Sequence, residues 1–439
     1  MMADENRPTV DDIIQLRKEK ADPTTLESTK YVGLEHIKSG GGLLGIGDSS
    51  EIKSLKSVFK KGDVLYGKLR PYLNKHMLAP FDGICSTDIL VFHSPDTNTA
   101  KLFNYYLGSR DFINQAHAES KGVNLPRISA KSILKFPLDF PEKPEQERLV
   151  ALLDQFTSRQ EKIEGALSRL PGLLRDFRES VLRKAVTGAL TEEWSSTIRL
   201  ESVNDLLKRV VAPPKPNRFK SRSTSITPGR FAVSVGKPDK EIPERYKWVP
   251  LYRIAHMASG HTPSRKHPEY WGGEVNWIGI RDAGTNHGKT IYKTEQRTNE
   301  LGLENSASVL LPANTVCFSR TASVGYVVKM GVPMATSQDF VNWVCTEAID
   351  PDWLKWLLIA EVDSMKGFGK GSTHTTIYYP ELLSLHVALP PLEEQREIVK
   401  RVEKLLAFAD RIQKRMEKLK KQVDDLPQAV LGRAFRGEL

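Results

Sequence analysis

Apolar residues follow the same heptad pattern in two long segments of the chain. In one segment they recur at steps of four and three from Leu149 to Val181, interrupted by Gln160, and in the other from Ile398 to Val430. This spacing places side chains on one narrow stripe of an α-helix, as in a coiled coil. We expect two long helices that pair with each other, the alternative being that each stripe packs on its own globular domain. The predicted spacer residues are Leu153, Phe156, Ile163, Leu167, Leu174, Val402, Leu405, Ile412, Met416, Leu419 and Val423.

The two helical segments belong to an internal repeat. Residues 121–190 and 370–439 align without a gap at an offset of 249 residues (370 minus 121), so that Glu145-Gln146 matches Glu394-Gln395. A repeat of this length indicates one structural unit used twice. An antiparallel pair of helices would relate the two globular parts by a pseudo-twofold axis. Pro171 and Pro427 are expected to interrupt or kink the helices.

The globular parts repeat more faintly. Thr315–Ser319 is similar to Asp63–Gly67, and both are followed by a Ser-x-Asp sequence, at residues 337–339 and 86–88, that leads into an apolar strand. Short strands with alternating polarity, followed by helices, are typical of a mixed α/β domain. The loops differ between the copies, which favours two domains that recognise two different targets.

These patterns give five segments. The prediction is a first globular domain at 1–140, a first helix at 141–190, a linker at 191–241, a second globular domain at 242–389 and a second helix at 390–439. The linker is rich in Pro, Ser and basic residues and includes a short helix candidate at 200–211. The expected fold is therefore mixed α/β, with two tandem α/β domains separated by two long helices that form a coiled coil. Because a whole domain connects the two helices, the pattern alone allows either orientation of the pair.

Composition narrows the class of partner. The 439 residues, 39% of them hydrophobic, suffice for two to three domains with their own cores. A net charge of +10 favours a polyanionic partner. Neither an apolar run of about 20 residues nor a signal-peptide pattern is present. Cys85, Cys317 and Cys345 are scattered, which predicts reduced thiols in a cytoplasmic protein without a disulfide framework or zinc site.

Catalytic motifs are missing from the sequence. Residues 40–45 match the letters of a dinucleotide-binding motif, but the following residues continue as a loop where the motif needs a helix. The Asn/Asp-Pro-Pro-Tyr/Phe motif of amino-methyltransferases is absent, as are the motifs of α/β-hydrolases and kinases. We therefore expect a binding protein with no catalytic residue, metal or cofactor of its own.

Basic residues interleaved with aromatic ones concentrate in loops. Arg and Asn can form paired hydrogen bonds with base edges, whereas Lys mostly contacts phosphate. For any single residue a solvated surface charge is the alternative, but as a set on repeated scaffolds they favour contact with nucleic acid. The candidates are Lys68, Arg70, Tyr72, Lys121, Asn124, Arg265, Lys266, His267, Arg281, Asn286, Lys289, Arg320, Lys370 and His374.

Several motifs together resemble the specificity (S) subunit of type I restriction-modification systems. They are Leu-Pro-Pro-Leu-Glu-Glu-Gln-Arg-Glu-Ile-Val at 389–399, its first copy at 140–150, the similar endings at 180–190 and 429–439, and the opening Ile-Pro-Glu-Arg-Tyr-Lys-Trp at 242–248. The resemblance covers nearly the whole chain. Residues 9–30 depart from it, because they do not match the opening at 242–275.

The resemblance implies a function in DNA recognition. Each target recognition domain would read one half-site of double-stranded DNA in the major groove. The two long helices would form an antiparallel coiled coil that fixes the gap between the half-sites. Two modification subunits would carry S-adenosylmethionine and methylate adenine, and restriction subunits would translocate and cut. Three alternatives remain open: the recognition part of another fused or stand-alone restriction or methylation system, a coiled-coil scaffold for acidic proteins, and a stand-alone methyltransferase, against which the missing motif argues.

Overall fold

The computed structural model describes residues 8–25, 29–48, 52, 54–213, 222–371 and 375–439. The chain divides into two compact units, of which the first comprises residues 1–170 with 415–439 and the second residues 171–414. Both boundaries fall inside the long helices. Each unit therefore holds one globular domain together with a part of each helix.

The first domain consists of short strands followed by helices. Its strands are β1 (Gln15–Leu16), β2 (Lys20–Ala21), β3 (Tyr31–Val32), β4 (Lys56–Phe59), β5 (Val64–Gly67), β6 (His76–Leu78), β7 (Gly83–Cys85) and β8 (Ile89–His93). The helices are α1 (Thr97–Leu107), α2 (Arg110–Ala118), α3 (Ala130–Leu134) and the long α4 (Lys143–Val186).

Two four-stranded sheets form this domain, with strand orders β1-β8-β5-β6 and β2-β4-β7-β3. Successive side chains of a strand point to opposite faces. Accordingly Val64 and Tyr66 pack against α1 and α2, whereas Leu65 packs toward the second sheet. A slip of one residue would exchange these faces, so burial on both sides fixes the register of β5.

The second domain has the same plan with more elements. The remaining elements of the chain are α5 (Glu192–Ser196), α6 (Val203–Arg209), β9 (Thr227–Pro228), β10 (Val233–Val235), β11 (Lys247–Pro250), β12 (Ala255–Ser259), β13 (Trp271–Ile278), α7 (Ile280–Thr285), β14 (Thr290–Ile291), β15 (Gln296–Thr298), α8 (Glu300–Glu304), β16 (Val316–Ser319), β17 (Val327–Met330), β18 (Ala335–Thr336), β19 (Phe340–Cys345), α9 (Pro351–Ala360), α10 (Val362–Gly367), α11 (Tyr379–Leu383), β20 (Leu385–Leu389) and the long α12 (Leu392–Ala434).

Its sheets confirm the repeat. Their orders are β12-β19-β16-β17-β14, β15-β13-β18 and β11-β20-β10-β9. Strand β16 pairs with β19 as β5 pairs with β8. Val316 and Phe318 pack in the core that includes α9, and Cys317 packs on the opposite face. The prediction of two related mixed α/β domains is therefore confirmed.

The start of the first domain takes the place that β11 occupies in the second, although the two sequences do not match. Val10 N donates to Phe136 O at 3.0 Å, and Leu138 N donates to Pro8 O at 2.9 Å. Thr9 thus pairs with Pro137, as Pro250 pairs with His386. Backbone hydrogen bonds require no particular side chains, so comparing side chains could not reveal this equivalence.

The segment predicted as a linker, 191–241, is folded over much of its described length. Val203 and Leu206 of α6 are buried in the core of the second unit, near the expected helix at 200–211. Strand β10 pairs with both β9 and β20. The description of 191–241 as a flexible linker is wrong for these parts, because Val233 and Val235 supply apolar side chains that the sheet buries. Residues 214–221 lie outside the described residues.

The long helices pair antiparallel within each unit. In the first unit, Leu149 and Leu153, near the start of α4, pack with Leu431 and Ala434, near the end of α12. In the second unit, Val181 and Ala185 share a core with Ile398 and Val402. There Arg178 Nη2 donates to Asp410 Oδ1 at 2.8 Å. Both helices continue through their prolines, Pro171 and Pro427, which corrects the expectation that these residues would interrupt them.

Burial along the predicted spacer is uneven. Leu153, Leu174 and Val402 are buried, whereas Ile163 and Leu419 are 46% and 51% exposed. Two helices alone enclose a side chain on only one side, and burial becomes complete where a domain adds a further layer. The remaining spacer residues, Phe156, Leu167, Leu405, Ile412, Met416 and Val423, are partly buried. Within the described ranges, the chain has no helix with the length and apolar composition required to cross a bilayer.

Candidate nucleic-acid interface

A turn with the sequence Ser-x-Asp precedes strand β8 in the first domain and strand β19 in the second. In the first, Asp88 N donates to Ser86 Oγ at 3.3 Å, and in the second Asp339 N donates to Ser337 Oγ at the same distance. The amides of Ser86 and Ser337 donate to Val32 O and Ile278 O, each at 3.0 Å. We call residues 86–88 and 337–339 the Ser-x-Asp turns. Their middle residues, Thr87 and Gln338, are exposed.

A hairpin closes beside each turn. Lys121 and Arg127 exchange two backbone hydrogen bonds of 2.9 Å, and Lys370 and Thr376 do the same at 2.9 and 3.0 Å. Gly122 and Gly371 have φ of +106° and +119°, a conformation that favours glycine. We call residues 121–127 and 370–376 the basic hairpins. Their tips differ: Val123 and Asn124 are exposed in the first, while 372–374, including the candidate His374, lie outside the described residues.

One cation joins each turn to its hairpin. Lys68 N donates to Asp88 O, and Ile128 N donates to Lys68 O. Arg320 has the same relation to Asp339 and Ile377. Lys68 Nζ donates to Thr87 O at 2.7 Å, and Arg320 Nη2 donates to Gln338 O at 3.2 Å. These two candidates thus occupy equivalent positions, and each donates from its side chain to a backbone carbonyl of the turn. Lys68 Nζ also lies 3.4 Å from Asp88 Oδ1.

The other first-domain candidates gather around the same hairpin. Arg70 N donates to Pro126 O at 2.8 Å, and Arg70 adopts a left-handed conformation with φ of 48°. Its side chain is exposed. Tyr72, two residues later, packs edge-on against His117, with ring centroids 5.9 Å apart. Together with Lys68, Lys121 and Asn124, these residues form one basic surface with an aromatic side chain.

An aromatic clamp organises the loop between β12 and β13 in the second domain. The Arg265 guanidinium lies 4.0 Å from the ring of Trp271 and 5.4 Å from that of Trp277, and it donates to Gln296 Oε1 at 2.7 Å. Cation–π contacts of this kind hold an arginine in one orientation. His267 stacks on Tyr270 at 4.8 Å, while Lys266 is exposed. The loop therefore presents Lys266 and His267 on an ordered backbone.

Of four further second-domain candidates, three engage partners nearby. Arg281 Nη1 lies 2.9 Å from Glu295 Oε1, and Asn286 Nδ2 donates to Asp282 O at 2.9 Å, closing the end of α7. Lys370 Nζ lies 3.2 Å from Glu381 Oε1. Lys289 is exposed. Of these four, Lys370 alone belongs to the basic hairpin, so the candidate interface of the second domain consists of Arg320, Lys370 and the loop that holds Arg265.

Thr87 and Gln338 were missed as candidates. The sequence held a signal for them, because the Ser-x-Asp sequences align while their middle residues differ. Neither residue is basic or aromatic, so a pattern of basic and aromatic loop residues does not include them. An exposed residue that differs between two otherwise equivalent turns indicates selective binding better than charge alone does.

The thiols of the chain are poorly suited to nucleophilic chemistry. Burial raises the pKa of Cys85 to about 12 and shifts the pKa of Cys317 upward as well. A thiol acts as a nucleophile only as thiolate, which these buried cysteines do not form near neutral pH. Across the part of the chain that the structure describes, no group of three His, Cys, Asp or Glu residues could hold a metal ion.

Comparison with known proteins identifies the family. The model of the type I restriction modification DNA specificity domain matches residues 7–169 and 243–421. The EcoDI specificity subunit of Escherichia coli is 26% identical over 348 residues, covering 77% of this chain and 70% of that protein. The EcoKI specificity subunit of Escherichia coli K12 is 24% identical and covers 82% and 68%.

Two solved structures share the fold at 20% sequence identity. One, from work on assembly and conformational transition of the type I R-M system, has a TM-score of 0.63 and covers 98% of this chain and 97% of that one. The other, the HsdS subunit from Thermoanaerobacter tengcongensis, has a TM-score of 0.60 and covers 98% and 96%. Since the family model matches both halves and most of the sequence, this chain belongs to the family of type I restriction-modification DNA specificity subunits.

Proposed function

We propose that the chain reads an asymmetric, bipartite DNA target, with one half-site for each domain. One observation carries the proposal: the two domains build the same Ser-x-Asp turn, basic hairpin and bracing cation, yet expose different residues on that frame. Because the backbone arrangement is the same, both domains suit the same kind of ligand. Because the exposed side chains differ, they suit different base sequences. The target is then two unequal half-sites separated by unread bases.

The paired helices would set the length of that gap. Coiled-coil packing fixes helices in one register, so the pair can act as a spacer of constant length. The basic residues around the hairpins would contact phosphates, which makes binding fall steeply with rising salt because counterions are released.

Modification subunits would dock on the helices. Leu173, Phe408 and Leu419 are 61%, 49% and 51% exposed on helices whose other residues are largely charged. Exposed large apolar side chains on such helices favour contact with another protein. We propose two modification subunits, in keeping with the repeat, and restriction subunits recruited with them. S-adenosylmethionine would bind in the modification subunits, and the cytoplasm, where thiols stay reduced, is the proposed site of action.

Selection from random DNA tests the proposal. The complex of this chain with its modification subunits is incubated with a library of random-sequence duplexes at several salt concentrations, and retained duplexes are sequenced. A bipartite motif with two unequal halves is expected to be enriched increasingly as salt rises. Retention without any enriched sequence would support the scaffold alternative and refute the proposal. As a control, the modification subunits alone are carried through the same selection.

A further inference from the structure

The two Ser-x-Asp turns share their backbone and differ in the residue at the tip. Ile89 N donates to Ser86 O at 2.9 Å, and Phe340 N donates to Ser337 O at 3.3 Å, so each turn closes onto the strand that follows it in the same way. Ser86, Asp88 and Asp339 are partly buried and Ser337 is buried, whereas Thr87 and Gln338 are exposed. The main chemical difference between the turns is therefore one side chain in each domain.

Lys68 and Arg320 hold these tips in place. Each donates to the carbonyl of the tip residue itself, Thr87 O or Gln338 O. Arg320 is fixed further by Ile377 O, 3.4 Å from Nη1, and by the ring of Tyr379, whose centroid lies 4.4 Å away. A guanidinium held on two carbonyls and one aromatic face has little freedom to follow a phosphate. Both cations thus act on the orientation of the tip.

We propose that Thr87 and Gln338 are specificity-determining residues, each for the half-site of its own domain, and that Lys68 and Arg320 are the positioning residues of the two tips. The inference rests on the proposed function, since it presumes that each domain reads one half-site. Beyond that function, the inference names the side chains that make the two domains recognise different base sequences.

The two tips offer different hydrogen-bonding groups. Thr262 Oγ1 donates to Gln338 Oε1 at 2.5 Å, which orients the amide and leaves its nitrogen as a donor. A donor at this point suits the acceptors of the major groove: purine N7, guanine O6 or thymine O4. Thr87 offers a hydroxyl, which both donates and accepts, and a methyl group that can contact thymine. The half-sites are thus expected to differ at the base pair that faces each tip.

Exchanging the tip residues tests the specificity roles. The variants Thr87→Gln and Gln338→Thr are each purified as the full complex with modification subunits, and their targets are determined by selection from random duplexes. Each variant is expected to lose about tenfold or more in preference at one base pair of one half-site. The other half-site serves as the internal control. Two unchanged half-sites in both variants would overturn the inference.

Removing the bracing cations tests the positioning roles. Arg320→Met is expected to relax the second half-site and Lys68→Met the first. Lys68→Arg should retain the preference at the first half-site, and Arg320→Lys, which keeps the charge but lacks the planar fork, should retain part of the preference at the second. A phosphate contact would behave differently, since its loss weakens all sequences alike and lowers the salt slope by about one. An unchanged salt slope with a relaxed half-site supports the positioning role. A lowered slope with both half-sites intact would overturn it.

The wild-type complex separates the two ways of failing. If the wild type enriches no bipartite motif, the proposed function itself is wrong. If it enriches one and the tip variants leave that motif unchanged, the inference alone fails, and the loop held by Arg265 becomes the next candidate for base contact in the second domain.

Discussion

His76 is a buried polar residue in strand β6 of the first domain. Its Nδ1 lies 3.0 Å from Asn104 Oδ1, while its buried Nε2 has no hydrogen-bond partner in the described ranges. A Cβ on Gly41 would lie only 2.9 Å from that nitrogen, so the ring is tightly enclosed. Burial lowers the pKa of His76 below its usual value of 6.5, and the hydrogen bond with Asn104 offsets this only in part.

The first domain is therefore expected to lose stability in acid. The unfolded chain binds a proton at His76 near pH 6.5 and the folded domain binds it only at lower pH, so stability falls as the pH drops below 6.5. His76→Gln should remove this contribution. Urea midpoints of both proteins at pH 7.5 and pH 5.0 measure it. The wild type should lose more than the variant, and equal losses would show that His76 does not titrate as described.

Residue roles were harder to predict than residue types. The sequence indicated Lys68, Arg320 and Arg265 as cations in loops, and the structure has them there. It could not indicate that the first two donate to backbone carbonyls or that Arg265 stacks on Trp271, because both arrangements depend on segments far apart in sequence. Their assignment as DNA contacts stays a prediction, and the bracing geometry argues for indirect roles.

The repeated Glu-Gln pair anchors the start of each long helix. Gln146 Nε2 donates to Pro141 O at 2.8 Å, and Gln395 Nε2 donates to Pro390 O at 3.0 Å. Each glutamine also accepts a hydrogen bond from its own domain, Gln146 from Thr99 and Gln395 from Asp350. These bonds join helix and domain at one fixed angle. The sequence showed the repeat, and the structure supplies its reason.

The glutamates of the pair differ in their surroundings. The side chain of Glu394 is fully buried and meets Arg245 at 2.8 Å, Thr191 at 2.7 Å and Tyr246 at 3.0 Å. The side chain of Glu145 is 42% exposed and pairs with Arg148. Glu394 therefore joins the beginning of α12 to Thr191, which follows α4, and to Arg245 and Tyr246, which precede β11.

Neutralising these two glutamates should have unequal effects. Glu394→Gln leaves the partly buried Arg245 without its counter-charge, at a cost of about 2–3 kcal/mol. Glu145→Gln should change stability far less, because its charge is solvated. Thermal unfolding of both variants beside the wild type decides the matter. Similar shifts in Tm would contradict the structural role given to Glu394.

Substitutions at different positions along the helix pair should also differ in their effect on stability. Val402 is completely buried in the core of the second unit, whereas Leu419 is half-exposed. Val402→Asp buries an unpaired carboxylate and is expected to cost about 4 kcal/mol or more. Leu419→Asp should cost much less stability but weaken co-purification of the modification subunits. Urea denaturation and a pull-down separate the effects. Equal destabilisation by both variants would restore the simple picture of an evenly buried spacer.

Helices and core strands were predictable, whereas the segment between the copies was not. Heptad spacing and the repeat reveal α4 and α12 because the periodicity is local. Strand β10 lies in a Pro- and Ser-rich region, and its burial comes from pairing with β20, about 150 residues later in the sequence. Long-range pairing of this kind leaves no local pattern, so the composition of the region alone favours a linker.

At the scale of the whole molecule, the helices should set the length of the unread gap, while the two domains set the sequences of the half-sites. The two properties should therefore change independently. Seven residues inserted after Gly165 and after Glu417 would preserve the heptad phase of both helices and lengthen each by about 10 Å. The unread gap should grow by about three base pairs, with both half-sites unchanged. Selection from random duplexes measures gap and half-sites together. An altered half-site with the original gap would contradict the spacer role.

Mapping of methylated adenines tests the central claim most directly. The chain is co-expressed with its modification subunits in a host that lacks adenine methylation, and the genome is read by long-read sequencing. Two unequal half-sites at a constant gap, methylated once on each strand, are the predicted result. A soluble complex with an unmodified genome, or a motif with a single undivided site, would contradict the account of two readers held apart by a helical spacer.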